Sequence, residues 1–223
     1  MRNERSERIY HPWLHDWSHD GLIQIEDTPD SIEEDDYKLD EGILCSSWFP
    51  ENVLFEMSEE GGKVLADSVP NHALLHIVSP RLKDLLEIHA KDCIEFLPIG
   101  ILDHKKFPVE TPYYIMNVLR TLPCMDEERS DFVRSAIDKS QVHHIKRLVL
   151  DEDQIPDDAN IFRLGQERDL ILVRSDLAEA IKREGMTGIY FMAIEDYGKQ
   201  YRKSNREEMI KRLLAEKGRL GKE

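Results

Sequence analysis

The sequence predicts an α+β fold: a mixed, mainly antiparallel sheet with a few packed helices. Short alternating or wholly apolar runs, the mark of strands, outnumber runs with helical spacing. The two kinds of run do not alternate strictly, as a doubly wound parallel sheet requires. The 223 residues, 40% hydrophobic and 34% charged, have a globular composition. A chain of this length buries roughly 70% of its unfolded surface without a disulfide or metal staple.

The elements follow in order. TPDSIEEDDYKLDEG has few apolar residues and reads as a solvated loop or exposed acidic edge. Val53 to Phe55 reads as a strand and Gly61-Gly62 as a turn. Ser79-Pro80 supplies a cap and a first-turn proline for a helix over Pro80–Ala90, with Leu82, Leu85, Leu86 and Ala90 at helical spacing. Strands follow at CIEFLPIGI (limited by Pro98), Tyr113 to Leu119, Ile145 to Leu150, Asn160 to Leu164 and Leu170 to Arg174. Ser175 reads as the cap of a second helix with Leu177, Ala180 and Ile181 on one face and Gly185 as its left-handed stop. Thr187 to Glu195 gives a last strand, and Glu207 to Lys217 an exposed helix with a narrow stripe of Met209, Ile210, Leu213 and Leu214. Residues 1–70 thus form an acidic region, either part of one domain or a small subdomain; 71–197 form an α+β body, and 198–223 a basic helical tail.

Charge is unevenly spread. The formal net charge is −15, yet Glu26 to Asp67 alone holds 14 acidic residues against two basic ones, while the segment after Tyr197 holds nine basic and four acidic. Such a balance disfavours nucleic acid and anionic membranes as direct partners and favours basic proteins. Cys45, Cys93 and Cys124 form no C-x-x-C pair, which implies reduced, buried thiols in a reducing compartment. No signal-peptide apolar core and no apolar run of about 20 residues is present, so the expected location is cytoplasmic.

Motifs for chemistry are sparse. His11, His15 and His19 recur every four residues, and His15-Asp16-x-x-His19 approximates the H-E-x-x-H zinc motif. Asp16 is one methylene shorter than the required Glu, and Pro12 interrupts the first turn. The plainer reading is an N-terminal arm whose tryptophans pack onto the body. Asp30, Asp36 and Lys38 imitate a nuclease carboxylate and lysine set, but no strand pattern holds them. There is no phosphate-binding loop, no G-x-S-x-G elbow and no dinucleotide fingerprint. Cys124 and His143 have no local signature for a dyad. No catalytic residue and no cofactor is expected. A metal-binding hydrolase using the histidine run and a scaffold unrelated to toxins are the alternatives.

Three segments, 113–132, 145–164 and 170–195, carry a resemblance through five motifs. Asn117-Val118-Leu119, Cys124-Met125-Asp126 with Ser130, Leu148 to Pro156, Ile161 to Leu164, and Gly185 to Glu195 stand in the order of a bacterial immunity protein family, numbered eleven, found in polymorphic toxin systems. The helix SPRLKDLLE fits that family's lead-in element, so the resemblance spans roughly residues 75–196. It implies a non-catalytic protein that binds and neutralises a cognate toxin, with its oligomeric state open. Basic nuclease toxins would complement the acidic region. The expected interface is Glu33, Glu34, Asp35, Asp36, Asp40 and Glu41, with Trp48 and Phe49 as apolar anchors.

Overall fold

The apolar run Leu170 to Val173 is buried on both faces and becomes the centre of a sheet, as a run without polar alternation does. The computed structural model describes residues 8–198, apart from 20, 26 and 60. The anticipated helix at Glu207 to Lys217 and the rest of the basic tail lie outside these residues.

Twelve strands and three helices are present among the described residues: β1 (Tyr10–His15), α1 (Asp30–Glu33), β2 (Leu54–Glu56), β3 (Ser68–Val69), β4 (Ile77–Val78), α2 (Pro80–Ala90), β5 (Ile94–Leu102), β6 (Tyr113–Val118), β7 (Thr121–Leu122), β8 (Asp131–Arg134), β9 (Val142–Arg147), β10 (Ile161–Leu164), β11 (Glu167–Arg174), α3 (Ser175–Arg183) and β12 (Ile189–Phe191). One sheet runs β12-β1-β11-β10-β7 and a second runs β2-β5-β6-β4-β3, while β8 and β9 form a separate hairpin. Pairing is antiparallel except for β10 with β7 and β2 with β5. The fold is α+β.

α2 has the predicted bounds. The Ser79 hydroxyl oxygen accepts from the Leu82 amide at 3.2 Å, satisfying a first-turn donor. α3 starts differently. Ser175 is its first helical residue and does not cap it; its hydroxyl donates to the Ile9 carbonyl at 3.1 Å and meets His11 Nε2 at 3.0 Å. Gly185 has the expected left-handed conformation (φ +65°). β9 ends at Arg147, short of the predicted Leu150, because residues 148–150 turn toward Met125 and Ser130; the Val149 amide donates to Ser130 Oγ at 3.0 Å. β12 ends at Phe191, and a 3-10 turn over Ile194–Asp196 replaces the end of the predicted strand.

The first 70 residues supply strands to both sheets, and the expected boundary after residue 70 falls between β3 and β4, which pair with each other. β1 is an interior strand. Tyr10, His11 and Pro12 pair with β11, and Trp13, Leu14 and His15 pair with β12. Pro12 stands where pairing passes from one neighbour to the other, a place that tolerates a missing N–H.

Three apolar clusters fill the molecule. Trp13, Leu82, Leu86, Met116, Ile171, Val173 and Ile181 join both sheets to α2 and α3. Ile32, Leu39, Phe55, Ile101 and Ile115 pack the acidic segment onto the second sheet. Tyr10, Phe162, Leu172 and Ile145 cover the other face of the first sheet with the β8–β9 hairpin. Each fully buried Leu or Ile contributes ~1.5–3 kcal/mol relative to exposure.

Candidate interaction surface

The acidic segment is not a solvated loop. Ile32 and Leu39 are buried in the second core cluster. They pull the chain into α1 and a 3-10 turn over Asp36–Asp40. Two apolar residues seven apart were the only sequence signal for this, and the acidic residues around them masked it.

Polar groups from the body then hold the segment. Arg163 is 2% exposed, and its guanidinium donates to the carbonyls of Leu39 at 2.6 Å, Val118 at 2.8 Å and Arg168 at 2.9 Å. The Asp40 carboxylate lies 3.6 Å from it and supplies the counter-charge. The Glu95 carboxylate accepts from the amides of Cys45 at 2.8 Å and Ser46 at 2.9 Å. Asn117 donates to Glu95 at 3.0 Å and to the Ile43 carbonyl at 2.7 Å. Burial alone would raise the Glu95 carboxyl; the hydrogen bonds from Cys45, Asn117 and Ser46 outweigh it and hold it below the usual range. Asn117 and Arg163, both inside the family-like motifs, therefore fix the acidic region from residue 39 to 46.

The predicted interface residues divide. Glu33 and Glu34 are exposed. Asp35 pairs with Lys38, and Glu41 with Arg168. Asp36 is half-buried at the start of the 3-10 turn. Trp48 and Phe49 are half-buried against the second core cluster, edge to face at 5.7 Å, with Lys38 Nζ 5.2 Å from the Trp48 ring.

A cleft of about 270 Å³ opens between this segment and the β8–β9 turn. Tyr37, Asp40 and Glu41 line one side, Asp138 and Gln141 the other, and Arg168 and Asp169 the β11 wall. Burial, then the neighbouring Asp169, push the Asp40 carboxyl up to about 7 against the pull of Arg163. Glu167 is likewise pushed up to about 7 by burial and Asp169, tempered by the Tyr197 hydroxyl. Asp138 accepts from the Ser140 hydroxyl and amide, which lowers it. Asp138 and Asp169 escaped the sequence reading because only topology brings them beside residues 37–41.

A second cleft of about 430 Å³ is lined by Asp126, Glu127, Glu128, Asp151, Gln154 and Gln166, with Pro123 and Met125. Its carboxylates serve local structure. Asp126 accepts from the amides of Glu128 and Arg129, Asp151 from the Asp153 amide and the Gln154 side chain, and Glu127 pairs with Arg134.

The histidine run is separated by its own geometry. Residues 10–15 are a strand, so His11 and His15 share a face but stand about 13 Å apart along it, whereas zinc ligands must approach the metal to about 2 Å. His11 contacts the Met192 carbonyl at 3.1 Å, His15 lies against His76 with ring centres 5.7 Å apart, and His19 faces Asp16 at 3.5 Å. Among the described residues, no group of three or more His, Cys, Asp or Glu could hold a metal ion. Cys124 is buried and its thiol is pushed up to about 12, while His143 is exposed. No helix among the described residues is long and apolar enough to cross a membrane.

The arrangement defines a class: an α+β scaffold whose acidic segment is held against the body by Arg163, Glu95 and Asn117. Residues 13–196 match the Immunity protein family (Imm11), and the chain belongs to that family. Membership carries a toxin-neutralising immunity function. The match begins well before residue 75, in agreement with β1, β2 and β3 entering the two sheets. No curated protein matches the chain.

Proposed function

We propose that this protein neutralises a basic toxin, a nuclease domain being the best-fitting kind, by direct binding without catalysis. The contact is assigned to Glu33, Glu34, Asp35, Asp36, Asp40 and Glu41, flanked by Trp48 and Phe49. The observation that carries the reading is the hold of Arg163, Glu95 and Asn117 on the acidic segment. A surface ordered before binding loses less conformational entropy on association, and a fixed anionic face steers a cationic partner. Nuclease toxins need positive charge to hold a phosphate backbone, so the same charge that binds substrate attracts this inhibitor. Three free, buried cysteines fit a cytoplasmic site of action.

The test is co-expression with the toxin domain encoded beside this chain, followed by association kinetics. Wild type restores growth. Glu33→Lys with Glu34→Lys slows association by on the order of tenfold at low salt and by less at high salt. An unchanged rate and affinity would remove the acidic segment from the interface.

A further inference from the structure

We infer that the docking surface is composite, the acidic segment together with the tip of the β8–β9 hairpin, and that Tyr37, Ile43, Leu44 and Ile137 are its apolar anchors. This rests on the toxin-binding reading above and defines the partner patch more closely: basic side chains interleaved with apolar ones.

Four exposed apolar residues flank the acidic cleft, lying in or beside the segments that line it, whereas others, such as Ile88 and Phe107, do not. Ile137 is 98% exposed, Leu44 64%, Tyr37 59% and Ile43 49%. A hairpin connection ordinarily carries Gly, Asn, Asp or Ser. Here Ser135, Asp138 and Ser140 meet that rule: Ser135 Oγ accepts from the amides of Ile137 and Asp138 at 3.2 Å each, and Asp138 accepts from the Ser140 amide at 2.8 Å. None of these bonds uses the Ile137 side chain, which is left available for a partner. Trp48 and Phe49, by contrast, spend much of their surface on the core.

The two halves are referenced to one element, the β10–β11 hairpin. Arg163 on β10 holds Leu39, and Arg168 on β11 holds Glu41. From the other side, Gln141 donates to the Gly165 carbonyl at 3.1 Å, and the Val142 amide to the Gln166 carbonyl at 2.6 Å. Gly42 completes the placement of Ile43 and Leu44. Its φ is +68°, and a Cβ there would lie 2.5 Å from Thr121 Oγ1, so only glycine lets the segment press against β7.

Charge selects the occupant. Between the two halves the cleft is lined by four acidic side chains, Glu41, Asp138, Asp169 and the partly protonated Asp40, against the single guanidinium of Arg168. A second copy of this chain would bring like charges face to face. A basic protein supplies the missing cations while covering the apolar rim.

Ile137→Ser and Asp138→Asn test the hairpin half without disturbing the turn, since Asn keeps an acceptor for Ser140. Ile88→Ser, on exposed α2 surface, is the control. Against the same toxin domain, Ile137→Ser is expected to speed dissociation by on the order of tenfold. Asp138→Asn is expected to slow association about two- to fivefold at low salt, with Ile88→Ser unchanged. Wild-type rates for both hairpin variants, with Glu33→Lys and Glu34→Lys still slowing association, would overturn the composite surface and leave the toxin-binding reading standing. Wild-type rates for all four would remove both. A probe independent of the toxin is hexa-arginine peptide titrated into the isotope-labelled full chain at low salt. Shifts of the amides of residues 37–44 and 137–140 together support the surface. Shifts confined to residues 33–41, or centred on Asp126 to Glu128, refute it.

Discussion

Arg163 combines near-complete burial with a permanent charge, a costly combination unless every donor is used. Its carbonyl partners lie on three different parts of the chain, at Leu39, Val118 and Arg168. Arg163→Ala should therefore cost about 3–5 kcal/mol, because it strands those carbonyls and the Asp40 carboxylate together. Urea unfolding gives the loss, and faster hydrogen exchange over residues 39–46 locates it. Glu167 is the opposite case, a carboxyl raised to about 7 by burial and Asp169. Its folded form holds a proton that the unfolded form releases, so it destabilises the fold progressively above about pH 4.5 and fully above pH 7. Glu167→Gln should raise stability by about 1–2 kcal/mol at pH 8, an advantage that fades toward pH 4.5. The imidazoles run the other way. Burial, with His72 adding a smaller repulsion, lowers His15 to about 4, and burial with neighbouring His15 and Arg163 lowers His76 well below its usual value. Their neutral forms stabilise the fold above pH 6.5, and that contribution is lost as pH falls from 6.5 toward 4. A His76→Phe variant should thus lose less stability than wild type between pH 6.5 and 4.5, read as the shift in urea midpoint.

At the scale of elements, legibility followed the locality of the cause. α2 could be read in full because its cap, its first-turn proline and its apolar spacing all lie within residues 79–90. β5, β6, β10 and β11 were legible for the same reason, as dense apolar runs. β1 was not. Its histidines and Pro12 suppress the strand pattern, and it becomes a strand only because β11 and β12 flank it. The acidic segment failed similarly: its structure depends on Ile32 and Leu39 meeting a sheet formed later in the chain. A solvated loop would tolerate changes there within about 0.5 kcal/mol, whereas Ile32→Ala and Leu39→Ala should each cost about 2–4 kcal/mol. Chemical denaturation separates the two cases. The anchors are harder still to read, because exposure at Ile137 depends on where the β8–β9 turn points, and sequence pattern alone does not encode that.

At the scale of the molecule, the charge of −15 is organised. Its densest stretch is mounted on the body by Arg163, Glu95 and Asn117. The acidic region, read as part of one domain or as a small packed subdomain, sends strands from residues 8–70 into both sheets. A chain beginning at residue 71 should accordingly fail to fold, showing no cooperative thermal transition and collapsed amide dispersion. Independent folding of that piece would show that the body has a core of its own.

The pairing of Tyr10 with Arg174 also sets a timetable. β1 is synthesised well before both strands that flank it, which lie at residues 167–191. At synthesis rates of about 5–20 residues per second, β1 waits on the order of ten seconds or more for its neighbours. The first sheet then closes through contacts distant in sequence, which form slowly. A chain stopped before residue 167 consequently lacks both neighbours of β1 and leaves the first sheet open.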